Sequence, residues 1–299
     1  AGYVDRGGVF CRFGEHRPSA SPATLHSSTE LSCRSPVSPH RGTLDDVIGG
    51  SVWLALTLND DHAAYTSTNV SFKYLLSASG DEAVQVSLVL PVAGPSAGGS
   101  LLNVSGQGFE FLGGVFCRFG TEERTVPGTL VSGQMMLCRS PPFSIPLAGV
   151  LSEYGLQESV QVSLNGQNYT TSSVSFLAFD KTNVHVSSLV PHGGPTAGGT
   201  LITVLGGGFA DHNVHCLIGS ENSTRTLVRG TVVNASALLC YTPARSTAAA
   251  EAVEVTLNGD VSSHTLTLNG VLFDFYDASA VRIDSIAPHG GPAEGGTLV

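Results

Sequence analysis

Pro191-His-Gly-Gly-Pro-Thr-Ala-Gly-Gly-Thr200 is the stretch of sequence that decides the fold, because it occurs three times. It recurs as Pro288-His-Gly-Gly-Pro-Ala-Glu-Gly-Gly-Thr297 and, with more differences, as Pro91-Val-Ala-Gly-Pro-Ser-Ala-Gly-Gly-Ser100. The copies begin 100 and then 97 residues apart. A period of that length is a whole domain, since the units of solenoids and propellers have about 20–50 residues. The 299 residues therefore predict three domain equivalents, each with a small core.

The six cysteines form three local pairs, one in each copy of the repeat, at separations of 22, 21 and 24 residues. The pairs are Cys11 with Cys33, Cys117 with Cys138, and Cys216 with Cys240. Zinc is the alternative, but no Cys-x-x-Cys occurs in the sequence. We therefore expect one disulfide in each repeat, contributing about 3 kcal/mol to a small core. Oxidised cysteines indicate an extracellular or cell-surface location.

Alternation of apolar and polar residues predicts short strands in each repeat. In the best-preserved copy, residues 186–190 and 200–205 are predicted strands, with Ile202 and Val204 on one face. A later alternating segment leads into Asn258-Gly259, which we expect to form a type I′ hairpin turn. The matching turns are Asn165-Gly166 and Asn59-Asp60, and the return strands end at three expected core residues, Phe273, Phe176 and Phe72.

These short strands, the cysteine pairs and the regular turn signals predict an all-β chain of tandem immunoglobulin-like β-sandwiches. The ordered motifs Pro-x-x-Gly-Pro-x-x-Gly-Gly-Thr, Gly-x-Gly-Phe, the two cysteines and Val-x-Val-x-Leu-Asn-Gly resemble the IPT/TIG family. That family is named for immunoglobulin-like folds in plexins and transcription factors. The resemblance implies an elongated array of modules that form extracellular stalks, or that dimerise and contact DNA. It implies no catalytic residues.

The repeats divide the chain into four parts. The first repeat, residues 1–79, is a partial domain that lacks its first strands; the second, residues 84–180, and the third, residues 183–277, are complete; residues 281–299 are the first-strand region of a further domain. The two partial copies together supply nearly one domain. Two explanations remain open: the chain is a window on a longer array, or successive units share a domain by strand addition.

Charge and hydropathy exclude several functions. The net charge of −10, with only two lysines, disfavours nucleic acid as a partner. The sequence contains no run of 18 or more apolar residues, the length that a membrane-spanning helix needs.

Candidate metal ligands are also weak. The two imidazoles of Asp211-His-Asn-Val-His215 would point to opposite faces of a strand, so we expect a solvated loop and no metal. The acidic pairs Asp45-Asp46, Asp60-Asp61 and Glu122-Glu123 are expected to be solvated turns and not calcium sites, and we expect no enzymatic activity, cofactor or catalytic residue.

Five Asn-x-Ser/Thr sequons predict covalent glycans, at Asn69, Asn103, Asn168, Asn222 and Asn234. Asn103 is the least suitable, because it falls in a predicted strand. The sequence thus predicts a structural segment of a glycosylated extracellular filament or stalk, whose partners are copies of itself or neighbouring modules, head to tail. The alternative is an adhesive or receptor ectodomain that binds a protein or glycan through its loops. A third class, an accessory part of a carbohydrate-active enzyme, requires a catalytic domain elsewhere.

Overall fold

The computed structural model describes residues 3–14, 19–37, 51–61, 65–66, 70–75, 84–121, 124–144, 155–219 and 224–299. Within these ranges the regular structure is β-strand, apart from short 3-10 turns such as Lys181–Asn183 and Ala278–Ala280. The described part of the chain contains no helix that is long and apolar enough to cross a bilayer. The all-β prediction is therefore confirmed.

The third repeat folds into two sheets that enclose one core. Its strands are β14 (His185–Val190), β15 (Gly193–Pro195), β16 (Leu201–Gly207), β17 (His215–Ile218), β18 (Thr226–Arg229), β19 (Thr231–Asn234), β20 (Ala237–Tyr241), β21 (Ala249–Thr256) and β22 (Leu272–Tyr276). One sheet has the order β14-β16-β20-β19 and the other β15-β22-β21-β17-β18. Ile202 and Val204 of β16 are fully buried between them, as their alternation predicts.

The second repeat has the same topology with one difference. Its strands are β6 (Gln85–Leu90), β7 (Ala93–Pro95), β8 (Leu101–Gln107), β9 (Phe116–Phe119), β10 (Thr125–Ser132), β11 (Met135–Arg139), β12 (Leu156–Ser163) and β13 (Val174–Phe179). The start of β10 pairs with β9 in one layer and its end pairs with β11 in the other. The single strand β10 therefore takes the positions of both β18 and β19. Because it pairs in both layers, it connects them into one hydrogen-bonded order of eight strands, β6-β8-β11-β10-β9-β12-β13-β7.

The first repeat contains fewer described strands. They are β1 (Phe10–Phe13), β2 (Ser19–Leu25), β3 (Leu31–Cys33), β4 (Ser51–Thr57) and β5 (Ser71–Lys73), in the order β3-β2-β1-β4-β5. Both outer strands have only one partner among the described residues. The counterparts of β3 are β11 and β20, which have a further partner each, β8 and β16. The counterparts of β5 are β13 and β22, which pair in parallel with β7 and β15.

This difference corrects one core prediction. Phe273 and Phe176 are fully buried, whereas Phe72 is 36% exposed. In the other two repeats the ring lies beneath the Gly-Pro turn, close to Gly94 and Gly194. No such turn covers Phe72 in the described part of the first repeat, so its ring contacts only the neighbouring rings of Phe13 and Tyr74 among aromatic groups there.

The Asn-Gly turns also differ from the prediction. A type I′ turn requires positive φ at both central residues, but in each repeat only the second of them has it: Gly259, Gly166 and Asp60, at 77°, 73° and 57°. Asn258 and Asn165 instead use their side-chain oxygens to accept backbone N–H groups of the turn. In the first repeat Asn59 accepts from Asp61 N in the same way. The predicted type I′ geometry is wrong because the asparagine precedes the turn and caps it.

Each repeat contains its predicted disulfide. The bonds are Cys11–Cys33, Cys117–Cys138 and Cys216–Cys240, with Cα–Cα distances of 6.3, 6.3 and 6.4 Å. In the third repeat the bond joins β17 of one sheet to β20 of the other. The disulfide therefore fixes the two layers to each other through the middle of the core.

The third repeat contains a buried ion pair between Arg245 and Glu251. Arg245 Nε donates to Glu251 Oε2 at 2.7 Å, and both side chains are only 8% exposed. The other guanidinium nitrogens donate to Thr226 Oγ1 at 3.0 Å and to the Ile218 carbonyl at 2.8 Å. Because these bonds satisfy the arginine, the buried charge is compensated.

Candidate functional site

The contact between the second and third repeats is the site with the most specific geometry. Phe179, the last residue of β13, is 5% exposed and belongs to the core cluster of the third repeat. Ala93 of β7 is fully buried in the same cluster, and Leu177 packs against it. The apolar core therefore continues across the boundary between the two repeats. We call this contact the joint.

A hydrogen bond crosses the joint from a buried asparagine. Asn258 Nδ2 donates to the carbonyl oxygen of Ala93 at 2.8 Å, although the residues are 165 positions apart in sequence. The Asn258 oxygen accepts from Thr256 Oγ1 at 3.0 Å and from Asp260 N at 3.1 Å. The side chain is thus held by its own turn while its amide reaches the other repeat. A buried carbonyl left without this donor would carry a desolvation cost of about 1–3 kcal/mol.

His212 covers the outer side of Phe179. The two rings are stacked, with centroids 6.2 Å apart and an angle of 18° between their planes. His212 Nε2 is buried and has no hydrogen-bond partner among the described residues. Burial lowers the pKa of His212 below its ordinary value of 6.5, although the negative charge of Asp211 acts in the opposite direction. The neutral ring is therefore favoured.

This position of His212 corrects part of the prediction of a solvated loop: Asp211 and Asn213 are exposed, as expected, whereas the His212 side chain is half-buried. The imidazole lies against the joint because Phe179 supplies an apolar surface for it. The described residues contain no group of three or more His, Cys, Asp or Glu side chains arranged to hold a metal.

The linker between the second and third repeats is also structured. Asp180 caps the 3-10 turn Lys181–Asn183 by accepting from Thr182 N at 2.9 Å and from Thr182 Oγ1 at 2.7 Å. Lys181 Nζ donates to the Ser263 carbonyl at 2.9 Å, across to the third repeat. Asp277 caps the corresponding turn Ala278–Ala280 with the same pair of bonds to Ser279. Both linkers are therefore short hydrogen-bonded turns.

The contact between the first and second repeats is more open. Lys73 and Glu110 form an ion pair there, and both side chains are partly exposed. A cavity of about 210 Å³ is lined by Leu75 of the first repeat together with residues of the second. Its lining is mostly apolar with a few amide and hydroxyl groups, from Leu75, Val84, Leu112, Val162, Leu164, Asn165, Asn168, Tyr169 and Thr170.

Three of the predicted glycosylation sites lie in the described residues. Asn168 is exposed in the loop after β12, and Asn234 is exposed at the end of β19, where its Oδ1 accepts from Ser236 N. Asn103 lies within β8, opposite Leu90 and Leu137 of the neighbouring strands. Asn69 and Asn222 fall outside the described residues, as do the acidic pairs Asp45-Asp46 and Glu122-Glu123. Glycan attachment remains a prediction at all five sites.

Hydrophobic periodicity does not indicate the residues of the joint, although the aligned repeats contain a signal for one of them. Phe179 follows the core residue Phe176 by three positions, and Leu75 and Tyr276 follow Phe72 and Phe273 in the same way. An apolar or aromatic side chain thus recurs at the end of β13 and β22 and two residues after β5. No comparable pattern distinguishes the carbonyl of Ala93 as an acceptor.

The comparisons with known proteins agree with the repeat structure. The family model described as IPT/TIG domain matches residues 85–178 and again residues 185–275. Together these matches include well over half of the chain.

Three solved structures align with most of the chain at low similarity. Two are full extracellular regions of plexin A4, each 14% identical over 91% of this chain, with TM-scores of 0.38 and 0.41. The third is a tetra-tandem repeat in the extending region of a large adhesion protein, 13% identical over 86% of this chain, with a TM-score of 0.25. The aligned parts are 30%, 26% and 64% of those chains, so this chain spans less than two thirds of each. Similarity this low carries no argument about function.

Proposed function

Because the chain belongs to the IPT/TIG family, we propose that it is a structural segment of a glycosylated extracellular filament or stalk built from head-to-tail modules. The observation that carries the proposal is the joint, in which Phe179 and Ala93 of the second repeat lie inside the core of the third. Domains of one chain move relative to each other unless their interface is large and hydrophobic. A joint with a continuous core fixes the angle between successive modules, which is what a stalk requires.

The bonds around the joint support the same role. Asn258 donates a hydrogen bond to the Ala93 carbonyl, and Lys181 of the linker donates one to the Ser263 carbonyl. A bending motion at the boundary would have to break both bonds and expose Phe179 to water. Burying a phenylalanine side chain is worth roughly 1.5–3 kcal/mol, so the bent state is rarely populated.

The extracellular location rests on two features. All cysteines are paired in disulfides, which persist in oxidising compartments. Asn168 in the loop after β12 and Asn234 at the end of β19 are both exposed, so their sequons are accessible for glycan attachment. The proposal assigns the chain no catalytic role.

The partners in this proposal are neighbouring modules or copies of the chain. The proposal includes strand sharing, in which one unit supplies a strand to a sheet of the next. Such a contact is heterologous, and repeated contacts of this type generate an open filament.

Small-angle scattering from the full chain tests the fixed joint. We expect a distance distribution with a distinct maximum for the separation of the second and third repeats, unchanged between low and high salt, because the joint is apolar. A broad distribution that fits freely hinged modules would contradict the proposal. An Asn258→Asp variant, which keeps the acceptor of the turn and removes the amide donor, should broaden the distribution.

A further inference from the structure

His212 packs on the joint and leaves one of its ring nitrogens unsatisfied. The imidazole is stacked on Phe179 of the second repeat, with the two planes 18° apart. Its Nε2 atom is buried and has no hydrogen-bond partner in the part of the chain that the structure describes. Buried polar atoms are normally hydrogen-bonded. The joint thus contains a titratable ring that lies against an apolar surface.

The corresponding position of the second repeat holds an aliphatic residue. Leu112 follows Phe109 by three positions, as His212 follows Phe209. Each also precedes a residue with positive φ, Gly113 at 108° and Asn213 at 81°. Leu112 packs against the core of its own repeat. The fold therefore accepts leucine at this position, and the histidine adds a group whose charge depends on pH.

Other charged and titratable groups lie on the elements around His212. They are Asp211 on its own loop, Asp180 and Lys181 on the linker, His215 and Arg229 on β17 and β18, and Asp260 and His264 on the segment after β21. Asp211 is exposed, and its negative charge favours the protonated ring, but burial has the larger effect on the pKa of His212. The others have partners of their own, such as the Ser263 carbonyl for Lys181.

Protonation of His212 opposes docking of the two repeats. The imidazolium carries an N–H donor on both nitrogens, so the Nε2 hydrogen would be buried without an acceptor among the described residues. The Phe179 ring compensates little, because cation–π attraction extends to about 6 Å and the two centroids are 6.2 Å apart. Separation of the repeats exposes the imidazolium to water, which solvates the charge.

We propose that His212 makes the joint sensitive to pH, so that the joint is closed at neutral pH and its open state becomes more populated in acid. Phe179, Ala93 and the Asn258 hydrogen bond hold the repeats together, and the proton on His212 acts against them. A stalk with this joint is stiff at neutral pH and bends more readily in acid. This inference rests on the proposed function, because it describes the regulation of the joint that carries it.

The direction of the pKa shift sets the pH range of the effect. Burial lowers the pKa of His212 below 6.5 while the repeats are docked, and the exposed ring of the open state regains its ordinary value. The open state therefore binds the proton first. Docking keeps its full stability above about pH 6.5 and weakens as the pH falls below that value, until the docked state is protonated as well.

Hydrogen exchange of the Asn258 side-chain amide tests the inference, because its Nδ2 donor crosses the joint and is released when the joint opens. NMR of the full chain at pH 7.5 and pH 5, corrected for the intrinsic rate, should show a lower protection factor in acid. The midpoint of the His212 titration in the same sample predicts the size of the fall, because docking and protonation are reciprocally linked. At a pH below both pKa values the fall is about tenfold for each unit by which docking lowers the pKa.

The chain itself supplies the variant and its control. His212→Leu introduces the residue that the second repeat has at this position, so it should fold and show the same Asn258 protection at both pH values. His192→Val removes an exposed histidine from the Pro-His-Gly-Gly-Pro turn, where the second repeat has Val92, and it should keep the pH dependence of the parent chain. At each pH the Asn258 amide should be less protected than the backbone amide of Val204, a core residue of the third repeat, because opening the joint costs less than unfolding the repeat.

Equal pH dependence in the parent chain and in His212→Leu would overturn the inference, as would a pH dependence that His192→Val abolishes. Equal protection of Asn258 and Val204 would also overturn it, because the joint would then open only when the repeat unfolds. A joint that stays closed at both pH values contradicts the role of His212 and leaves the stalk standing. Freely hinged repeats at pH 7.5 in the scattering test would instead overturn the proposed function, and the inference that rests on it would fall too.

Discussion

Replacing Phe179 with alanine should remove most of the stability that the third repeat gains from its contact with the second. Phe→Ala changes in cores cost about 3–5 kcal/mol. Phe179 is 5% exposed and packs against the third repeat with His212 stacked on it, but a joint can close partly around a lost ring. We therefore expect a loss at the lower end, about 3 kcal/mol. Hydrogen exchange at equilibrium should show β21 and β22 amides opening roughly a hundredfold more often, since each 1.4 kcal/mol is a factor of ten.

The chain offers two controls for this measurement. Phe111 is 66% exposed on the second repeat, so Phe111→Ala should change the free energy of opening, measured by hydrogen exchange, by less than about 0.5 kcal/mol. Trp53, the only tryptophan, lies in β4 of the first repeat, and its fluorescence should report an unchanged unfolding transition in the Phe179→Ala variant. If Phe179→Ala behaves like Phe111→Ala, Phe179 does not couple the repeats and the reasoning is refuted.

Three further predictions concern the third repeat. Arg245→Met should destabilise it by about 3–5 kcal/mol in denaturant unfolding, because it leaves Glu251 buried without its partner; a loss under 1 kcal/mol would mean that water reaches the pair. The folded-state pKa of His212 is lowered, so the unfolded chain binds the proton first; the stability contributed by His212 should be complete above about pH 6.5 and fall as the pH drops below that value. A His212→Asn variant should show a smaller loss of stability between pH 7.5 and 5, and an identical pH profile would count against the buried ring. Replacing both Cys216 and Cys240 with serine should cost about 2–5 kcal/mol, read from the urea midpoint, and a reductant, which opens all three disulfides, should destabilise the parent chain further.

The sequence predicted what depends on local pattern. The alternation around Ile202 places that residue in the core, and the three cysteine pairs form the expected bonds. Phe176 and Phe273 are core residues because a period of two and a turn fix the side of the strand on which they lie. These features follow from pairs of residues within about 25 positions of each other, where spacing constrains geometry.

Features that depend on contacts between repeats could not be predicted in this way. The Asn-Gly pattern suggested a type I′ turn, but Asn258 is retained in the fold by two acceptor bonds and by a donor bond to a residue 165 positions away. Phe72 has the right pattern for a core residue, yet its burial requires a turn that lies outside its own strand pair. The residues around His212 in the sequence are mostly polar, which suggests a solvated side chain. Its apolar neighbour, Phe179, belongs to the second repeat and comes close only in the folded structure.

Residual dipolar couplings of backbone amides in β12 and β21 test the central claim most directly, because they compare the orientations of the second and third repeats in solution. The docked joint predicts that one alignment tensor, with one magnitude, fits the couplings from both repeats of the parent chain. Two tensors of different magnitude would show that the repeats reorient independently, which would contradict a fixed joint and the stalk that depends on it.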